Sequence, residues 1–258
     1  MLDSWSLAVL GFVQGATEFL PVSSSGHLII ARDLFHFSPE FGLAIDAVLQ
    51  LATALAIVVY FWSDILRLLK FEERATSYAI LIGTVPALIA GLLIEDIMAT
   101  LFRSAELVAY ALLAGSALML VAEYGPKYRG VYAERWWFEG VVVGCFQALA
   151  LIPGMSRSGM TIVGGMLIGR SRADAARFGF LLAIPILLGS GLKKLMDLGV
   201  DGTLATVGPA LFVGAVVSFV SGLLAIYVLL ALVRRTPLTV FVVYRVLLAA
   251  LILWYVQS

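Results

Sequence analysis

The sequence predicts an all-α polytopic membrane protein made of two inverted-topology repeats. Each repeat is a re-entrant helical hairpin followed by three transmembrane helices. Three observations carry the prediction. The 258 residues are 62% hydrophobic and only 13% charged, with a mean hydropathy of +1.03; soluble domains hold about 25% charged residues. Shifted by 133 residues, the chain overlays itself without gaps, so that Gly11 meets Gly144, Gln14 meets Gln147, Ser23 meets Ser156, Ser25-Gly26 meets Ser158-Gly159 and Ile29 meets Ile162. Two apolar stretches are broken at matching places, by "LPVSSSG" and by "IPGMSRSG".

The first hairpin falls at residues 5–31. Proline removes a helix donor and glycine loosens the helix, so Pro21 and Gly26 divide the stretch into two short helices with a polar tip. The second hairpin, at 136–169, is divided in the same way by Pro153-Gly154. Apolar stretches at about 41–62, 77–94 and 105–122 find partners at about 178–195, 208–232 and 238–256. Each is near the roughly 20 residues a spanning helix needs. Residues 1–258 therefore form one integral membrane domain, with repeat 1 at about 1–125 and repeat 2 at about 134–258. A hairpin plus three spans crosses the membrane an odd number of times, which inverts the second half. Irregular backbone is tolerated at membrane depth only where protein or a cavity surrounds it. The two tips are expected to face each other near the midplane.

Other features narrow the function. Zero net charge offers no electrostatic support for a nucleic-acid partner. The single cysteine, Cys145, excludes an internal disulfide and a cysteine-rich metal site. The N-terminal stretch carries Asp3 and no Lys or Arg, so it reads as mature structure rather than a signal peptide. Tyr60, Phe61, Trp62, Trp136, Trp137, Trp254 and Tyr255 fall at span ends and read as interface belts. His36 reads as loop.

Loops at 63–76, 123–135, 170–177 and 233–237 hold eleven Lys and Arg residues, whereas the other side holds four: Arg32, Arg103, Lys193 and Lys194. The richer side is expected to be cytoplasmic, with both termini outside.

The polar tips carry the chemistry. Gln14 and Glu18 are four apart and share a helix face. Ser23, Ser24, Ser25 and His27 follow Pro21. The second tip offers Ser156, Arg157, Ser158 and Thr161 around a glycine-rich turn that opens a helix. Free N–H groups at a helix start plus an arginine make an anion site, and phosphate suits it best. Together the tips provide an anion clamp, hydroxyl nucleophiles, a histidine and a carboxylate, a set suited to phosphoryl transfer or phosphate-ester hydrolysis. Some of these residues have a second reading. Ser25 and Ser158 serve equally well as small packing residues. Asp46 and Gln50, also four apart, stand between lining the site and a polar helix–helix contact. Arg245, within a span, is expected to pair or to snorkel.

The stretch from Gln14 to His27, "QGATEFLPVSSSGH", and the stretch from Pro153 to Thr161, "PGMSRSGMT", closely resemble the two signature motifs of the undecaprenyl-diphosphate phosphatase, or bacitracin-resistance, family. The resemblance extends to length, span order and the span "FGLAIDAVLQLATALAIVVYFW". It implies a multi-pass phosphatase of the bacterial plasma membrane that trims undecaprenyl diphosphate to the monophosphate and so recycles a lipid carrier for wall synthesis. It further implies dependence on Mg²⁺ or Ca²⁺ and a site open to the outer face. Ser24 resembles the proposed nucleophile, Glu18 and His27 the acid/base pair, and Arg157 the diphosphate clamp, with Ser156 and Thr161 beside it. Gln14 and Glu18 resemble the metal-binding end of the motif. That motif begins with Glu or Gln, and the neutral amide of Gln14 is the weaker ligand, which leaves Glu18 as the main carboxylate. The expected partners are a polyprenyl diphosphate lipid and the bilayer, with a homodimer left open. The alternative class is a transporter or flippase of the carrier phosphate, since inverted repeats with broken helices also build transporters.

The charge asymmetry generates a first prediction. Cysteines introduced at residues 70 and 127 will stay unlabelled by an impermeant thiol reagent added to intact cells. Labelling at either from outside overturns the orientation.

Overall fold

A computed structural model describes residues 4–34, 42–100, 104–125, 135–200 and 203–257, with backbone alone at 33–34, 43–44, 95–100, 203–207 and 257. These residues form eleven helices and no strand. The first hairpin is α1 (Ser4–Glu18) and α2 (Ser24–Leu34). It is followed by α3 (Gly42–Tyr60), α4 (Trp62–Leu69), α5 (Arg74–Thr100) and α6 (Ala105–Tyr124). The second hairpin is α7 (Trp136–Leu149) and α8 (Arg157–Leu167), and α9 (Arg172–Val200), α10 (Thr203–Arg235) and α11 (Thr239–Gln257) complete the chain. Five helices have the length and apolarity to cross a membrane: α5, α6, α9, α10 and α11. Taken with α4 as one bent pair, α3 brings the number to six.

Both broken helices are found where proline and glycine predict them. The hairpins are held by helices of the opposite half: α1 lies along α10, and α7 lies along α5. Glycines allow the close approach. A Cβ on Gly11 would stand 2.1 Å from the Gly214 carbonyl oxygen, and one on Gly144 would stand 2.4 Å from that of Gly83. Small residues that let backbones touch are the usual means of helix association in lipid, where apolar burial drives little. Two further extensive packings also join the halves, α3 with α9 and α6 with α11.

One end of the bundle is laced by charge. Arg170 pairs with Glu139, and Arg177 and Arg67 both pair with Asp64. Arg172 reaches Glu123 at 2.7 Å, and the Leu238 amide donates to Glu123 at 3.2 Å. The chain segments around residues 64, 123, 139, 170–177 and 238 therefore share one end, as the loop assignment requires. Helix α3 finishes at this end while α9 starts from it, and α6 finishes here while α11 starts here. Helices matched by the 133-residue shift thus run in opposite senses, which is consistent with an inverted repeat.

Three local expectations change. The first part of the expected 63–76 loop is not loop but belongs to the short helix α4, bent 80° from α3. Its Trp62, Ile65, Leu66 and Leu69 recur at helical spacing, giving one apolar stripe beside Asp64 and Arg67. Phe61 is not a belt residue. It is buried and packs against Phe180 with ring centroids 6.2 Å apart. Helix α5 continues through Thr100, beyond the apolar stretch expected to end at about residue 94. Arg103, Lys127, Arg129 and His36 lie outside the described residues.

Overpacking a tight backbone contact costs about 1–3 kcal/mol. Gly144→Ala will therefore lower the melting temperature of the purified protein in detergent by several degrees. Gly189→Ala, where an added Cβ meets nothing within 4 Å, will leave it unchanged.

Candidate active site

The two tips meet. Ser158 Oγ donates to the Leu20 carbonyl at 3.0 Å, joining the second tip to the first. Their backbones share an unusual conformation. Ser23 has φ +74° and Ser156 has φ +73°, at positions 133 residues apart. This is the left-handed region that non-glycine residues rarely adopt, and such outliers persist only where surrounding structure holds them. Each serine repeats the same bonds. Ser23 Oγ accepts from the Gly26 amide at 3.3 Å and lies 3.2 Å from Ser25 Oγ. Ser156 Oγ accepts from the Gly159 amide at 3.2 Å and lies 3.2 Å from Ser158 Oγ. Each strained serine thereby starts a helix, α2 at Ser24 and α8 at Arg157. Both helices present their N-termini, the positive end of the helix dipole, at the tips.

Glu18 ends α1 and is buried between the tips. Its Oε2 accepts from Ser24 Oγ at 2.5 Å and from Gln14 Nε2 at 2.9 Å. Its Oε1 lies 3.7 Å from Arg157 Nη1, too far for a hydrogen bond, and that Nη1 is buried without another partner. A small cleft opens beside this group. Its polar wall is Glu18, Arg157, Ser158 and Thr161, and its apolar wall is Phe19, Ile57, Phe180, Ala183 and Leu187. Gly179 completes the lining, and a Cβ there would stand 2.3 Å from Thr161 Oγ1. Thr161 itself donates back to the Arg157 carbonyl at 3.0 Å.

The structure thus brings Gln14, Glu18, Ser24, Arg157, Ser158 and Thr161 together, with Ser23, Ser25 and Ser156 shaping the turns. It places three other residues apart. His27 sits one turn into α2 with both ring nitrogens engaged, Nδ1 with the Ser23 carbonyl and Nε2 with Tyr244 Oη, each at 2.7 Å. It stacks on the Tyr244 ring, and no hydrogen bond joins it to Ser24 or Glu18. Asp46 pairs with Arg32 at 2.6 Å, outside the cleft lining. Asp46 and Gln50 precede the cleft residue Ile57 by eleven and seven positions, roughly 16 and 10 Å along α3.

Arg245 differs most from expectation. It neither snorkels nor meets a carboxylate. It is 0% exposed, and its guanidinium donates to the carbonyls of Leu112, Pro21, Met155 and Gly154 and to Ser116 Oγ, at 2.9–3.3 Å. A signal was available in the sequence: an arginine deep in a span, in a protein whose helices break twice, can satisfy the carbonyls those breaks release.

No group of three His, Cys, Asp or Glu residues forms a metal cluster among the described residues. The donors that do converge are oxygens. Gln14 Oε1 is buried without a hydrogen-bond partner, beside the Glu18 carboxylate. Mg²⁺ commonly takes one or two carboxylates and completes its shell with water and substrate phosphate, so these residues fit such an ion.

Comparison with known proteins supplies the family. The profile of the family described as "Bacitracin resistance protein BacA" matches residues 7–251. The chain belongs to the BacA family. Among its relatives, an undecaprenyl-diphosphatase of Myxococcus xanthus is 40% identical over 97% of this chain and 88% of its own length. One of Mycolicibacterium gilvum is 42% identical over 97% of this chain and 96% of its own. One of Mycobacterium tuberculosis is 42% identical over 94% and 93%. All three BacA relatives are named for phosphatase activity, none for transport.

Proposed function

We propose that this protein is an integral membrane phosphatase that converts undecaprenyl diphosphate to undecaprenyl phosphate and inorganic phosphate, recycling the lipid carrier used in cell-wall synthesis. The observation that carries the reading is the 2.5 Å hydrogen bond from Ser24 Oγ to Glu18, set opposite Arg157 at the junction of two helix N-termini. The cleft is amphiphilic in the same sense as the substrate, with a polar wall for a diphosphate and an apolar wall for an isoprenoid chain.

In this mechanism Arg157 and the two helix starts hold the non-bridging oxygens of the terminal phosphate. Ser24 Oγ attacks the terminal phosphorus, and its proton passes to Glu18 Oε2. The bond to the bridging oxygen breaks, and that oxygen leaves with the electron pair as the lipid monophosphate, which needs no proton at neutral pH. Glu18 then releases that proton to solvent and is a carboxylate again. It takes a proton from water as the water oxygen displaces Ser24 from phosphorus, and it is this second proton that Glu18 hands back to the serine oxygen as inorganic phosphate departs. Glu18 fills the role of base because it holds the hydroxyl proton, whereas both nitrogens of His27 are engaged elsewhere. A divalent cation held by Glu18 and Gln14 Oε1 would neutralise charge on the phosphate oxygens.

The domain is read as two fused repeats, about 1–125 and 134–258, in the bacterial plasma membrane. The end rich in ion pairs faces the cytoplasm and the site opens to the outer face. The eleven-to-four distribution of Lys and Arg supports this orientation.

Two experiments test the chemistry. Ser24→Ala will lose turnover by about 10³-fold or more, while Ser25→Ala loses little, and rapid quench with terminally labelled substrate will leave label on Ser24. Absence of labelled protein together with substantial turnover by Ser24→Ala rejects the covalent route. Separately, Arg157→Lys will lose about 100-fold in kcat/KM, nearly as much as Arg157→Ala, because the point charge lacks the planar fork for phosphate oxygens. Near wild-type activity in the lysine variant rejects the clamp.

A further inference from the structure

The guanidinium of Arg245 touches both tips and neither reacting group. Nη1 donates to Pro21 on the first tip at 3.3 Å and to Met155 on the second at 3.2 Å. Nη2 donates to Gly154 at 2.9 Å. The same group is fastened to α6 through Leu112 and Ser116, with Nε donating to Ser116 Oγ at 3.1 Å and Nη2 to the Leu112 carbonyl at 3.1 Å. Pro21 lies three residues from both Glu18 and Ser24, and Met155 lies two residues from Arg157. One rigid, planar cation thus spans the short backbone segments that carry the nucleophile and its base on one side and the phosphate clamp on the other.

The surroundings are tight enough to fix its place. Arg245 is fully buried, and a Cβ on Gly115 would stand 2.3 Å from its Nη2 and 3.1 Å from the Met155 oxygen. No carboxylate lies within ion-pair distance of it among the described residues. Lysine cannot take its place. An ammonium has three donors around a point, whereas the guanidinium has five in a plane.

We propose that Arg245 is a positioning residue for the phosphatase reaction: by bonding Pro21 of one tip and Gly154 and Met155 of the other, it sets the separation of Ser24 and Glu18 from Arg157. The inference rests on the assignment of Arg157 as the phosphate clamp. Its signature is energetic coupling. If Arg245 acts by placing Arg157 against Ser24, it matters only while Arg157 can grip phosphate. A residue that merely supported the fold would lower activity by the same factor in any background.

The test is a double-mutant cycle on purified full-length protein in detergent, with undecaprenyl diphosphate as substrate. Arg245→Lys is expected to lower kcat by about 10–100-fold, the cost of displacing a reacting group by about 1 Å, with KM changed less than threefold. In the Arg157→Lys background it is expected to cost less than threefold more. Gly115→Ala, which leaves Arg245 in the chain but crowds its Nη2, is expected to show the same kcat loss and the same coupling. It supplies the answer should Arg245→Lys fail to fold. Independent, multiplicative losses overturn the proposal, as does an unchanged kcat in both variants. If instead Arg157→Lys alone is fully active, the clamp assignment is the part that fails.

Discussion

Breaking a helix within a membrane protein frees carbonyl groups from their helical partners, and this protein does so twice. Each buried carbonyl left unpaired costs several kcal/mol. Arg245 answers for both breaks at once, bonding Pro21 of one tip and Gly154 and Met155 of the other. Hydrogen bonds to charged groups contribute about 1.5–3 kcal/mol each, enough together to offset much of the cost of burying an unpaired cation. The exchange is mutual. The cation needs oxygens because no carboxylate is near, and the oxygens need a donor because the helices have ended. Close packing of Gly11 on Gly214 and of Gly144 on Gly83 then holds each hairpin against the opposite half.

Within that frame the charges are arranged economically. Glu18 is the carboxylate between the tips, and it is approached by a hydroxyl, an amide and a guanidinium from three directions. Its 3.7 Å separation from Arg157 leaves the guanidinium uncommitted, so an entering phosphate need not break a strong ion pair. The ion pairs of Arg172 with Glu123 and of Arg170 with Glu139 are kept at one end of the bundle, and that of Arg32 with Asp46 lies outside the cleft lining. They join helices instead of competing for ligand.

Much of this was legible in the chain. Pro21 and Pro153-Gly154 announce their hairpins because proline and glycine act locally, and the apolar spans stand out because lipid demands about 20 residues. Gln14, Glu18, Ser24 and Arg157 could be grouped because two motifs, each within one short segment, hold them all. What escaped depends on partners remote in sequence. The His27 ring is held by Tyr244, 217 residues away. Asp46 is drawn to Arg32 on a different helix, and Arg245 gathers oxygens from three separate segments. Helix α4 had its apolar stripe in plain view, but most of its eight residues, two of them charged, read as loop on composition. Phe61 sat at a span end like any belt aromatic; only the packing of α3 on α9 turns it inward.

The twin serines at φ +74° and +73° bear on ancestry. The residue after each is the first of its helix, and there the halves part company: Ser24 in one, Arg157 in the other. Two identical half-length chains paired about a two-fold axis would have to repeat one choice at both places. They would set hydroxyl against hydroxyl, or guanidinium against guanidinium. Neither arrangement can deliver an oxygen to phosphorus from one side while gripping it from the other. Joining the copies in a single chain frees them to diverge while the scaffold stays shared. In the single chain the two helix starts carry different groups, a hydroxyl at one tip and a guanidinium at the other, so the pair of tips is chemically one-directional although its backbone is nearly symmetric.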